Sequence, residues 1–281
     1  MQTLFVGARR TGDDESEQEG RMALGVEISV FEHGQAVGCA VAAAVAQAAQ
    51  ASIASRGWFC VAFSGGSLVD LLAPAFVGLV NRREIHCAAW RIFWVDERWV
   101  PHASPDSNYG RFCSAVLDRV PACAPQVYPM PTSGSPEAAA HSYAATLRRV
   151  LGAGPGGAPS LDMVLLGLGH DGHTASLFPG QPALEETRRW VVPVRHAPKP
   201  PAVRLTLTLP VINAARRVLF VVAGAGKADA VERVLHSPGD ARFPASLVAP
   251  TGGMVQWFLD HEAARRVLPR LRAARAAHCG E

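Results

Sequence analysis

The chain nearly lacks lysine. Its 281 residues include 27 lysines and arginines together, and only Lys199 and Lys227 are lysine. On a surface the two cations interchange at little cost. A bias toward arginine therefore spares lysine where a compact, strongly hydrated ammonium is required. Both survivors lie in Pro- or Gly-rich turns, which makes them candidates for a site. Net charge is scarce too. A formal +3 is too small to argue for a nucleic-acid partner, and part of the excess sits in the C-terminal RRVLPRLRAARAAH, which reads as a solvated helix face. None of the six cysteines forms a CxxC pair. The start, MQTLFVGARRTGDDESEQEG, has no apolar run of the roughly 7–15 residues a secretory leader needs. The expectation is reduced thiols in a cytoplasmic protein. The longest apolar stretch, AVGCAVAAAVAQAAQASIA, carries glutamines and reads as a helix of a soluble protein, so no membrane partner is expected. There is no GxSxG elbow to argue for a serine hydrolase, and neither a GxGxxG nor a P-loop pattern.

What remains describes a soluble globular protein, 49% hydrophobic and 18% charged. Residues 1–24 read as a flexible lead-in, because DDESEQEG is too charged to pack. Strands are expected at VEISVF, WFCVAF, WRIFWVDERWV, LDMVLLGLG, VVPV, RLTLTLP, RRVLFVVAG and PASLVAP. MVQWFLD reads as a helix or strand. Helices are expected from the alanine-rich stretch to about Ser55, over LVDLLAPAFVGLV with an interruption near Pro74, in the later part of SPDSNYGRFCSAVLDRV, and over GKADAVERVLHS. Strands apolar throughout, alternating with helices, argue for an α/β fold with a mainly parallel, Rossmann-like sheet. No repeat and no composition break divides it. One domain is expected over 25–262, with an arginine-rich tail at 263–281.

The polar chemistry gathers at strand ends, where open parallel sheets bind ligands. Ser64-Gly65-Gly66-Ser67 follows one strand and precedes a helix. It is either a plain tight turn or a phosphate cradle of backbone amides. Asp96-Glu97-Arg98 is either an ion pair at the sheet edge or an anion site, with Arg98 binding and Asp96 or Glu97 orienting. Gly224-Ala225-Gly226-Lys227 puts a cation on the first turn of a helix, an unfavourable place unless an anion binds there. GLGHDGHTASLFPG follows the most apolar strand. Its His173 is expected at the start of a helix over TASLF, where an imidazole tends to stay neutral and can act as a general base, with Asp171 holding one tautomer. A helix-capping turn without chemistry is the alternative. The HxxH spacing of His170 and His173 has no further ligand of recognisable spacing, so no metal is assigned.

Taken in order, FSGGSLVDLL, WRIFWVDERWVPHASPDSNYG, LDMVLLGLGHDGHTASLFPG, APKPPAVRLTLTLPVINAARRVLFVVAGAGKADAV and FPASLVAP…WFLD resemble the glucosamine-6-phosphate isomerase/6-phosphogluconolactonase family over roughly residues 26–260. The resemblance implies a three-layer α/β sandwich with helices on both faces of the sheet. It further implies a carboxylic ester hydrolase that opens 6-phospho-D-glucono-1,5-lactone, a step of the oxidative pentose phosphate pathway, with no cofactor. The family's catalytic histidine falls on His173, and its pocket cations fall on Arg98 and Lys227. Lys199 and Arg204 of the KPP segment are expected to close over the phosphate. The isomerase branch usually continues into a segment like FNEP. This chain reads LFPG there, with no glutamate before Glu185, and that favours the lactonase branch; a glucosamine-6-phosphate deaminase or isomerase, or a non-catalytic phosphosugar sensor on the same fold, is the alternative. A small phosphosugar lactone is the expected partner, and a monomer or weak homodimer the expected state.

Overall fold

A strand that is apolar at every position must be covered on both faces, and the main sheet of this chain is built from such strands. The computed structural model describes residues 2–7, 25–85, 87–121, 123–154 and 157–271. Eight strands form the sheet: β1 (Gln2–Gly7), β2 (Gly25–Phe31), β3 (Phe59–Phe63), β4 (Trp90–Trp94), β6 (Gln126–Tyr128), β7 (Met163–Leu166), β10 (Arg217–Val222) and β11 (Met254–Asp260). Their spatial order is β1-β2-β11-β10-β7-β3-β4-β6. Every neighbouring pair is parallel except the edge pair of β1 and β2. A second, antiparallel sheet orders β5 (Asp96–Arg98), β9 (Arg204–Leu207) and β8 (Val191–Val194).

Helices cover the main sheet. The long α1 (Gly34–Arg56) packs on β11, β3 and β10 and against α2 (Ser67–Asn81). Its buried stripe is Val37, Val41, Val45, Ala48 and Ala49. These small side chains let it sit close to the strands. Farther along the chain come α3 (Asn108–Ala115), α4 (Pro136–Leu151), α5 (Leu209–Ile212), α6 (Ala228–His236) and α7 (His261–Ala264). The core is aromatic around β3 and β4. Trp90 stands edge-on to both Phe59 and Phe76, with ring centroids 5.0 and 5.4 Å away, the arrangement ring quadrupoles favour.

The parallel α/β architecture is as the sequence pattern indicates, and several elements differ from their expected form. WRIFWVDERWV does not run as one strand. It breaks at Val95, so β4 lies in the main sheet and β5 in the small one. TASLF is not a helix: Thr174 and Leu177 close a tight turn through an isolated bridge. PASLVAP is not a strand. Its proline opens a 3-10 turn at Pro244–Leu247, and the last strand is MVQWFLD. The helix α2 continues through Pro74. Pro74 and Asp70, whose carbonyl loses its partner, both face solvent, so water can satisfy what the ring removes. Three elements, α4, α5 and β6, had no counterpart in the sequence reading. The expected lead-in at 1–24 contributes a strand at its start, where β1 pairs with β2; residues 8–24 lie outside the described residues, as does 272–281 of the expected tail. The part of that tail that is described buries Val267 and Leu271.

Two of the cysteines expected as separate thiols are brought together: Cys87 and Cys123 stand within disulfide reach, with Cα atoms 5.2 Å apart. One precedes β4 and the other precedes β6, and these strands are parallel neighbours. Parallel pairing therefore brings together two cysteines that lie 36 residues apart in sequence. No short Cys spacing could have announced it.

Candidate active site

Four strands, β10, β7, β3 and β4, are adjacent in the main sheet, and the four polar stretches singled out in the sequence follow them in turn. From β3 the chain continues to β4 on one side. From β7 it makes an excursion through the small sheet and returns to β10 on the other side. The junction between β3 and β7 is therefore a topological switch point, where an open α/β sheet leaves a crevice beyond its strand ends. A cavity of about 340 Å³ occupies it. Ten of the eleven candidate residues line the cavity: Ser64, Gly65, Gly66, Ser67, Asp96, Arg98, His173, Lys199, Arg204 and Lys227. Asp171 stands behind His173.

The turn after β7 is held by its own backbone. Gly169 N–H donates to the His173 carbonyl at 2.8 Å, Gly172 N–H to that of Gly169 at 3.1 Å, and the Thr174 hydroxyl to that of Gly167 at 2.9 Å. This brings His173 Nδ1 to 2.5 Å from Asp171 Oδ1, and the His173 backbone N–H donates to the same oxygen at 3.2 Å. The pair needs a glycine beside it. A Cβ on Gly169 would lie 2.0 Å from His173 Nδ1 and 2.6 Å from Asp171 Oδ1. Burial holds the His173 imidazole below its ordinary pKa, with Asp171 pulling the other way. Burial likewise pushes Asp171 up, but its attraction and hydrogen bonds to His173 prevail, and its carboxyl ends below the usual value. At neutral pH the pair is thus a carboxylate facing a neutral ring. The carboxylate accepts from Nδ1–H, which leaves the Nε2 lone pair free. The neutral ring was expected from a helix start over TASLF; with no helix there, desolvation replaces the dipole as its cause.

The TASLF turn is pinned to the small sheet. Ser176 Oγ donates to Asp96 Oδ2 at 2.8 Å, and Ser176 N–H to Thr206 Oγ1 at 3.3 Å. In the register of β5 and β9, Asp96 faces Thr206 and Arg98 faces Arg204. Alternation along β5 turns Asp96 and Arg98 toward the cavity and Glu97 away from it. The DER segment therefore divides its roles, and the alternative in which Glu97 orients a ligand falls. Glu97 is fully buried and accepts from the backbone N–H groups of Arg98, Asn108 and Tyr109 and from Ser107 Oγ, at 2.7–3.0 Å. It anchors the start of α3. That start carries Asn108, a cavity residue the sequence reading missed, whose amide donates to the Asp96 carbonyl at 2.8 Å.

Two arginines directly opposite on one sheet face repel. Arg98 Nη1 donates to the Asp106 carbonyl at 3.0 Å, and Arg98 Nε is buried without a partner. Arg204 donates to the carbonyls of Pro201 and Lys199 at 3.0 and 2.7 Å and lies over the Phe178 ring. It clamps the KPP loop that carries Lys199, a more structural part than the expected closure over a phosphate. Phe178, also missed, packs against His173 with ring centroids 4.5 Å apart and the planes tilted by 48°. The Lys227 ammonium donates to the Leu168 carbonyl at 2.6 Å. Burial, then the charge of Lys199, lowers its pKa. Across the crevice, Gly66 precedes α2 and offers no side chain to cap it, and Ser64 Oγ is buried without a partner. Uncapped N–H groups, an unmet hydroxyl and crowded cations suit an anion at this wall.

A protein-family model described as glucosamine-6-phosphate isomerases/6-phosphogluconolactonase matches residues 32–257. The human protein named 6-phosphogluconolactonase is 43% identical over 242 residues, covering 85% of this chain and 92% of that protein. Its rat counterpart is 41% identical over the same shares. Among solved structures, 6-phosphogluconolactonase from Trypanosoma brucei superposes with a TM-score of 0.72 at 30% identity, covering 85% of this chain and 98% of that one.

Proposed function

The chain belongs to the glucosamine-6-phosphate isomerase/6-phosphogluconolactonase family, and from that premise we propose how it opens 6-phospho-D-glucono-1,5-lactone to 6-phosphogluconate. The observation that supports the mechanism is the joint lining of one cavity by His173 and by Arg98, Lys199 and Lys227. Asp171 keeps the His173 proton on Nδ1. Water gives its proton to Nε2 as its oxygen bonds to the lactone carbonyl carbon. The carbonyl becomes an oxyanion; it then re-forms, the bond to the ring oxygen breaks, and Nε2–H delivers the proton to that oxygen. Water is consumed, a carboxylic acid and a hydroxyl are formed, and no covalent enzyme intermediate is needed. General acid–base help of this kind contributes ~10²–10⁴-fold, enough for an ester that already opens unaided.

The phosphate docks on the amides of Ser64–Ser67 at the start of α2, against Arg98, Lys199 and Lys227. Its negative charge offsets the repulsion between Arg98 and Arg204 and supplies acceptors for Ser64 Oγ and Arg98 Nε. Phe178 and the buried Asp96–Ser176 contact keep the ring of His173 in place. The test is hydrolysis of freshly made lactone, with spontaneous opening subtracted and glucosamine 6-phosphate run in parallel. Lactone loss above background without ammonia release is expected. Ammonia release, or no acceleration, would overturn the assignment.

A further inference from the structure

His170 has no part in the mechanism above, yet it touches the loop that carries one of the chain's two lysines. Its Nδ1 lies 2.8 Å from the backbone carbonyl of Gly226. A carbonyl oxygen only accepts, so Nδ1 carries the proton whether the ring is neutral or charged. The contact is close along the ring as well, since a Cβ on Gly226 would sit 3.3 Å from His170 Cε1. The loop is also held at its other points. Gly224 N–H donates to both carboxylate oxygens of Asp260, each at 3.0 Å. Lys227 N–H donates to the Gly224 carbonyl at 3.0 Å, and Lys227 Nζ reaches back to Leu168 at 2.6 Å. The Asp260 end belongs to β11, whereas His170 and Leu168 belong to the catalytic turn after β7. His170 is thus a second side-chain tie, beside that of Lys227 itself, between the lysine loop and the turn that aims His173.

We propose that His170 is a positioning residue that latches the Gly224–Lys227 loop to the catalytic turn and so fixes the Lys227 ammonium against the substrate phosphate. The proposal rests on the reading of this cavity as a phosphosugar site. It concerns ground-state binding: the latch sets where the phosphate is held, and proton transfer stays with His173. Without it the Gly226 carbonyl turns to water and Lys227 keeps only its own hydrogen bond to Leu168 as a tie to the turn.

The test uses the full chain with His170→Leu, which removes the donor, and His170→Asn, whose side-chain amide nitrogen can take the place of Nδ1. In the leucine variant KM for the lactone is expected to rise about three- to tenfold, the factor for one lost hydrogen bond, with kcat held, and the asparagine variant is expected to recover most of the loss. Amide hydrogen exchange over residues 224–228 is expected to quicken in the leucine variant and slow again in the asparagine variant, a readout that needs no substrate. Unchanged exchange in the leucine variant, or a fall in kcat with KM unmoved, would overturn the proposal. Lactone hydrolysis missing from the wild type would instead overturn the functional reading, while the exchange data would still decide the latch.

Discussion

Replacing Glu97 by glutamine should damage this protein more than any surface change of equal size. The carboxylate is fully buried. Oε1 accepts from the backbone N–H groups of Arg98 and Asn108, each at 2.7 Å. Oε2 accepts from Ser107 Oγ at 3.0 Å and from Tyr109 N–H at 2.8 Å. Glutamine must place its NH₂ at one of these two positions, and either choice points it at a backbone N–H donor. At the Oε1 position two donors lose their acceptor; at the Oε2 position Tyr109 N–H does, while the hydroxyl can rotate. Each buried donor left unsatisfied costs roughly 1–3 kcal/mol. Part of this is offset, because glutamine lacks the charge whose burial pushes the Glu97 carboxyl above its ordinary range. Glutamine takes the second, cheaper arrangement, so the net loss is about 1–3 kcal/mol, a drop in Tm of roughly 2–12 °C for a domain of this size. Calorimetric or fluorescence melting at pH 7 measures it, and kinetics at a temperature where both proteins are folded should show a raised KM, because Asn108 and Arg98 flank the cavity. A variant that melts within about 1 °C of the wild type would refute the reasoning that this carboxylate anchors α3.

Three further outcomes follow from the same geometry. Gly169→Ala would drive a methyl against His173 Nδ1 and Asp171 Oδ1, so kcat should fall about 10²-fold or more, with circular dichroism unchanged; full activity would contradict the turn as described. In the proposed mechanism the active form of His173 is neutral, and burial sets its pKa below the ordinary 6.5, so background-subtracted kcat/KM should stay level as pH drops from neutrality and decline only below that value; a midpoint above it would contradict the burial argument. Asp171→Asn removes the group that raises the His173 pKa and lets the side-chain amide donate to Nδ1. The acid limb should therefore move to lower pH, and kcat should fall on the order of 10²-fold or more through the wrong tautomer.

Some of this was legible from residues alone. The parallel sheet was, because runs such as MVLL and RVLFVV have no polar face to expose. The gathering of polar stretches at one sheet edge was as well, because Ser64–Ser67, Asp96–Arg98, Gly169–His173 and Gly224–Lys227 each follow an apolar run, and strands β3, β4, β7 and β10 then prove to be neighbours. What stayed hidden depends on contacts distant in sequence. Nothing local in WRIFWVDERWV says that Val95 leaves one sheet for another. The pull comes from β9, whose Leu207 N–H donates to the Val95 carbonyl at 2.8 Å. TASLF has helical composition, yet Ser176 is drawn off to Asp96 and Thr206, 80 and 30 residues away. Glu97 was a candidate to orient a ligand because it lies between Asp96 and Arg98, which line the cavity; only strand alternation sends it to α3. Cys87 and Cys123 meet through parallel pairing that their spacing does not encode.

The most direct measurement is hydrolysis of fresh 6-phospho-D-glucono-1,5-lactone by the His173→Ala protein, with spontaneous opening subtracted and folding checked by its melting curve. The account predicts that kcat falls by about 10²–10⁴-fold while KM changes little, since the phosphate anchor is untouched. A folded His173→Ala enzyme that opens the lactone as fast as the wild type would contradict it.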